Sequence, residues 1–199
     1  MLIKTIKLQL YPTVEQIGLF RETQNIFTDA CNFVSEYVFK NNFELNQRNL
    51  HDALYQILRS QFNLQSQMAQ SVIKTVIARY KTVNTNMKQK PYQFRDVNTG
   101  IKHHVKRNIY WLKQPIQFKS KVAVLVRNRN YSLLKTGKYS IATQQGRIKV
   151  ECDRSNLAYL QQFNDYKLGE AELLERRGKW YLYISASKEV KSVDNNKIK

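Results

Sequence analysis

Leu2-Ile3-Lys4-Thr5-Ile6-Lys7-Leu8-Gln9-Leu10-Tyr11-Pro12-Thr13-Val14-Glu15-Gln16 decides the fold, because a two-residue period gives way to a helical one inside it. Leu2, Ile6, Leu8 and Leu10 share one face while Lys7 and Gln9 take the other, which is the pattern of a half-buried strand. Tyr11-Pro12-Thr13 breaks that pattern. Thr13 is placed to cap a helix, with Gln16 three residues on as its capping-box partner. Val14, Ile17, Phe20, Phe27, Cys31, Val34 and Val38 then fall near one helical face, and Asn41-Asn42 ends the run.

Working outward, Leu50, Ala53, Leu54, Ile57 and Leu58 form the stripe of a short amphipathic helix. A third helix opens near Ser66, striped by Ala69, Ile73, Val76, Ile77, Tyr80 and Val83. Beyond Lys90-Pro91 the period changes again. Val122–Val126, Tyr139–Ala142, Ile148–Cys152, Ala171–Glu175 and Trp180–Ala186 are short β-branched or aromatic runs. Thr136-Gly137, Gln145-Gly146 and Arg177-Gly178 lie between or beside them as hairpin turns would. The expected fold is α+β: a compact antiparallel β-barrel from residues 1–12 and 88–190, with a three-helix unit, residues 13–87, inserted after the first strand. Cys31 and Cys152 stand far apart in apolar patterns and read as small core residues, which argues against both a disulfide framework and a zinc ribbon.

The charge bounds the partners. The chain has 33 Lys+Arg against 15 Asp+Glu in 199 residues, a formal net charge of +18, and this favours polyanions. No apolar run approaches the ~18 residues of a membrane span, and the amino terminus alternates too evenly for a signal peptide. A reducing cytosol fits the few cysteines. At 42% hydrophobic residues the chain can bury a core, so it is not a disordered basic tail.

The excess is not evenly spread. Residues 86–135 hold 12 basic residues and one acid, Asp96. Lys88, Lys90, Arg95, Lys102, Lys106 and Arg107 belong to this segment, and so do Lys119, Lys121, Arg127 and Arg129. Tyr92, Phe94, Tyr110, Trp111, Phe118 and Tyr131 are interleaved with them. Cations of this density neutralise phosphates and release counterions, and aromatic faces stack unpaired bases for ~1–3 kcal/mol each. Trp111 and Phe118 read instead as core residues of the barrel.

Catalytic chemistry has little to work with. His103-His104 lacks companions at ligand spacing, so it reads as paired donors beside a phosphate or as plain surface. Asp153, Asp165, Glu170, Glu172, Glu175 and Asp194 alternate with lysines as surface acids do. There is no Gly-rich phosphate loop, no Gly-x-Ser-x-Gly and no Cys/His nucleophile pair.

Four stretches carry a family resemblance. Ile6-Lys7-Leu8-Gln9-Leu10-Tyr11-Pro12-Thr13-Val14-Glu15-Gln16 resembles the start of the TnpB proteins of bacterial insertion sequences. These are RNA-guided DNA endonucleases related to miniature type V CRISPR effectors. Ala69–Lys74 with Ala78–Lys81 resembles the family's third recognition-lobe helix, and Lys90-Pro91-Tyr92-Gln93-Phe94 the segment after it. Leu168–Leu173 with Gly178–Leu182 resembles the last barrel hairpin before the nuclease domain. Together they cover nearly the whole chain.

The resemblance implies a wedge, OB-like barrel carrying a helical recognition lobe, with guide RNA and double-stranded target DNA as partners, no membrane, and a cytoplasmic, nucleoid-associated setting. The family's motif-reading glutamine matches Gln70, with Lys74 one turn on, while a family lysine corresponds to Ser66, so a different motif is expected. Gln70 offers a donor and an acceptor to a base edge; a solvent-facing helix position is the other reading. In the family a RuvC-like nuclease domain follows, opening with Gly-[Ile/Val]-Asp-[Leu/Val]-Gly and carrying magnesium and a zinc ribbon. Asp194 lacks such neighbours and is not assigned as its metal-binding aspartate. Residues 191–199 are expected to be a tail leading to an absent C-terminal nuclease half, leaving no cofactor, metal or catalytic residue in this chain. A naturally truncated DNA- or RNA-binding regulator, or one subunit of a split effector, are the alternatives.

Overall fold

The computed structural model describes Met1–Glu189; Asp194 and the expected 191–199 tail lie outside the described residues. In chain order, β1 (Leu2–Tyr11) precedes three helices, α1 (Val14–Lys40), α2 (Gln47–Ser60) and α3 (Ser66–Gln89). A hairpin of β2 (Tyr92–Arg95) and β3 (Lys102–Val105) follows, then a 3-10 turn at Ile109–Trp111. β4 (Val122–Leu125), β5 (Tyr131–Leu133), β6 (Tyr139–Thr143) and β7 (Gly146–Cys152) lead to the short α4 (Arg154–Gln161). The long hairpin of β8 (Lys167–Arg176) and β9 (Lys179–Lys188) completes the described chain. The architecture is mixed α+β, as the sequence indicates.

Two compact units divide the described residues, one of Met1–Gln24 with residues 121–189, the other of Asn25–Ser120. The divisions fall inside α1 and after Ser120, not at 12/13 and 87/88 where the periodicity changes.

In the first unit, seven antiparallel strands run in the order β4-β8-β9-β1-β7-β6-β5. β1 pairs with β9 from Leu2↔Lys188 to Leu10↔Trp180 and touches β7 only at Leu10↔Cys152 and Tyr11↔Glu151. The two edge strands are brought together by a bridge between Arg127 and Tyr131, so the sheet is nearly closed and barrel-like. Tyr131 donates its hydroxyl to the Gly169 carbonyl at 2.7 Å, beside the irregularity in β8 between Leu168 and Ala171. Alternation fills the interior: Ile6, Leu8 and Leu10 of β1 meet Trp180, Leu182 and Ile184 of β9, all buried. The β8–β9 turn places Arg177 and Gly178 both at positive φ (51° and 74°), the geometry a two-residue hairpin favours.

The first turns of α1 belong to this unit. Thr13 and Gln16 form the capping box, with N···O distances of 3.2 and 3.3 Å. Phe20 packs on Trp180 with ring centroids 5.0 Å apart, and Gln24 donates to the Leu173 carbonyl at 2.9 Å. Val14 and Leu2, expected on buried faces, are exposed instead, because each sits at the open end of its element.

The second unit is built on the rest of α1 with α2 and α3. Phe27, Cys31, Val34 and Val38 of α1 are buried, as are Leu50, Leu54 and Leu58 of α2. α3 contributes Met68, Ala69, Val72, Val76 and Tyr80. Asn46 caps α2 through its side-chain oxygen to Arg48 N (2.9 Å). Residues 88–120, read from sequence as barrel, pack inside this unit. Asn32 exchanges two hydrogen bonds with the Phe118 backbone (2.7 and 3.1 Å), and Thr28 donates to the Ser120 carbonyl. Nothing in local periodicity marks these polar side chains of α1 as holding a strap some 90 residues on. Trp111 and Phe118 are therefore not core residues of the barrel: Trp111 is 47% exposed and Phe118 half-buried, both in the helical unit.

Candidate nucleic-acid interface

The basic segment read as one run is shared between the two units. Lys88, Lys90, Arg95, Lys102, Lys106, Arg107 and Lys119 lie in the helical unit, and Lys121, Arg127 and Arg129 in the barrel unit. Every one except the half-buried Arg107 is exposed, and among the described residues none of them forms an ion pair. Asp96, the segment's one acid, accepts the backbone N–H groups of Asn98 (2.8 Å) and Thr99 (3.0 Å) in the β2–β3 turn. Those two donors hold its carboxyl below the usual carboxylate range. Its charge thus serves its own turn.

Arg107 has a different task from its neighbours. It donates twice to the Lys90 carbonyl (2.7 and 3.2 Å) and so ties the foot of the β2–β3 hairpin together. Asn84 of α3 accepts from Ile109 N at 3.0 Å, seating the 3-10 turn on the helices.

The hairpin has two unlike faces. Register pairs Tyr92 with Val105, Gln93 with His104, Phe94 with His103 and Arg95 with Lys102. Residues directly opposite share a face, so Tyr92, Phe94, His103 and Val105 line one side and Gln93, Arg95, Lys102 and His104 the other. His103 stacks on Phe94 at 5.1 Å and 19°, Phe94 neighbours Tyr92 at 6.0 Å and 30°, and Tyr92 neighbours Trp111 at 6.2 Å and 41°. The sequence reading singled out these aromatics but not the strands that align them. The signal was present in Tyr92-x-Phe94 and His103-x-Val105, separated by the turn formers Asn98-Thr99-Gly100.

Gln70 is half-buried on α3 and lines a cleft of about 360 Å³ with Gln47, Arg48, His51 and Ile73. Lys74, one turn further on, is exposed. Arg48 and His51, which join Gln70 there, carried no sequence signal, since an amphipathic pattern does not say which polar residues of α2 face α3.

In the barrel unit, Arg127 and Arg129 project from a tight turn. The Val126 carbonyl accepts from Arg129 N and Asn130 N (3.1 and 2.8 Å), and Arg147 donates to the Arg129 carbonyl at 2.9 Å. Among the acids weighed from sequence, Glu175 is forked by Arg21, Asp165 is paired with Lys188, and Asp153 caps α4 and accepts from the Tyr11 hydroxyl at 3.1 Å. Burial pushes the thiols of Cys31 and Cys152 above their ordinary value, so neither is a reactive thiolate. Among the described residues no group of three or more His, Cys, Asp and Glu could hold a metal ion, and no helix is long and apolar enough to cross a membrane.

Compared with known proteins, the chain matches no protein-family model, and no curated protein matches it in sequence.

Proposed function

We propose that this chain binds nucleic acid as the N-terminal part of a TnpB-like RNA-guided DNA endonuclease. The observation that carries the reading is the segment from Lys88 to Lys135: twelve cations, a single acid engaged by its own turn, and no cation in an ion pair among the described residues. Cations left unpaired on a surface are matched to phosphates, and this supports a polyanionic partner over a merely soluble basic surface. The sequence resemblance narrows that partner to guide RNA and double-stranded target DNA.

On this reading the seven-stranded unit serves as the wedge, OB-like barrel and α1–α3 as the recognition lobe that follows β1. The cationic segment supplies backbone contacts, which give affinity, and Gln70 in its cleft reads the short DNA motif, which gives preference. Cutting belongs to a RuvC-like partner domain with its magnesium and zinc, in the same polypeptide or a separate one. The setting is the prokaryotic nucleoid.

Titration of the purified chain with structured RNA at several salt concentrations tests the reading. The logarithm of affinity is expected to fall with that of salt by roughly 0.7–0.9 per phosphate contact. Lys106→Gln should lower the slope by about one such contact. Arg107→Gln should instead loosen the hairpin foot. A flat salt dependence would overturn the proposal.

A further inference from the structure

The β2–β3 hairpin presents an uncovered row of rings. Tyr92, Phe94 and Trp111 are 47%, 42% and 47% exposed, and His103 is exposed beside them. Successive rings lie 5.1–6.2 Å apart and within 41° of parallel. The helical core buries other aromatics freely, including Phe27 and Tyr80, so exposure here does not reflect a lack of core space.

The reverse face says what kind of molecule completes the site. Arg95 and Lys102 stand directly opposite each other, a like-charge pair that weakens a sheet. Asp96, next to Arg95 in sequence, is engaged by the turn and forms an ion pair with neither. A two-stranded sheet is marginal alone, and this one keeps both a repulsive pair and an apolar row in water. A polyanion with flat apolar faces relieves both at once. In a duplex those faces are covered by neighbouring base pairs, whereas an unpaired strand offers them for stacking.

We propose that the row Trp111–Tyr92–Phe94–His103 is a stacking ladder for unpaired bases, with the flanking Lys90 and Lys106 taking phosphates of that single strand and Arg95 and Lys102 adding positive potential from the reverse face. This deepens the nucleic-acid reading above and rests on it. The ladder selects unpaired over paired segments and tolerates any sequence, since every base has a stacking face.

Trp111 itself reports occupancy, because Trp180 is buried in the barrel and serves as a constant background. The full chain is titrated with an unstructured RNA 12-mer and with a duplex of the same length, following tryptophan emission and affinity. Tyr92→Leu/Phe94→Leu keeps apolar bulk on the hairpin while removing the ring faces; Trp111→Phe removes the reporter. The expected result is quenching by the 12-mer that is lost in Trp111→Phe. The double variant should lose about ten-fold or more in 12-mer affinity, with its salt slope and duplex affinity unchanged. Binding without quenching, or an unchanged 12-mer affinity in the double variant, overturns the ladder and leaves the nucleic-acid reading standing. Absence of binding to either oligonucleotide at low salt overturns both.

Discussion

The Tyr80 hydroxyl donates to the Ser35 carbonyl at 3.0 Å, while the Ser35 hydroxyl donates to the Ile116 carbonyl at 2.6 Å and Ile116 N donates to the Tyr80 oxygen at 3.2 Å. Both hydroxyl protons are used, and the two side chains join α1, α3 and the 116–120 strap inside one buried cluster. Tyr80→Phe keeps the ring but leaves the Ser35 carbonyl and Ile116 N–H without this partner. Unmatched buried groups cost about 1–3 kcal/mol. Urea unfolding should show a loss of that size, accompanied by faster hydrogen exchange at Ile116 and Phe118. Ser35→Ala should be non-additive with it, since the two residues share Ile116.

In the barrel unit the corresponding anchor is Phe20, fully buried against Trp180. Phe20→Ala opens a cavity beneath the first turns of α1 and should cost about 3–5 kcal/mol. Val14→Ala on the same helix, at an exposed position, should fall within about 0.5 kcal/mol of the parent. Denaturation midpoints of the two variants give the comparison directly.

The β2–β3 turn should open in acid. Asp96 has a folded pKa below its ordinary value because Thr99 N–H and Asn98 N–H bond its ionised form. A depressed carboxyl stabilises the fold above its unfolded pKa, and that contribution disappears as pH falls through the folded value. Amide exchange at Asn98 and Thr99 should therefore quicken below the ordinary aspartate range. Asp96→Asn retains an acceptor oxygen without a titrating charge, so its turn should keep both amides protected with no acid transition in that range.

Much of this architecture was legible in the chain, and the exceptions share a cause. The strand–cap–helix sequence from Leu2 to Gln16 reads correctly because each signal is local: alternation, a proline break, and a Thr/Gln capping box. The same holds for α2, α3 and the β8–β9 turn. The placement of 88–120 was not legible, because it depends on Asn32 and Ser35 bonding backbone about 80–90 residues away. Trp111 was misassigned for a related reason. A tryptophan near strands suggests a core, but the 3-10 turn seated by Asn84 holds it outward. At the candidate site, charge density was readable from composition, whereas the partition of that charge between two units and the use of Arg107 as a tether required coordinates.

On the proposed reading, substitution of Gln70 should separate preference from affinity. Its amide lies in a cleft with Arg48 and His51 on α2, so a base edge admitted there would meet both a reading group and a cation. Gln70→Ala removes the paired donor and acceptor but no charge, and a lost bidentate base contact is worth about 1–3 kcal/mol of discrimination. Selection of bound duplexes from a pool randomised at the motif should show relaxed preference at one position, with affinity for the pool as a whole nearly unchanged. Arg48→Ala should do the reverse, weakening all duplexes together and lowering the salt slope by roughly 0.9, the increment of one B-DNA phosphate contact. Equal preference in the parent and Gln70→Ala would remove Gln70 from motif reading while leaving the cationic surface in place.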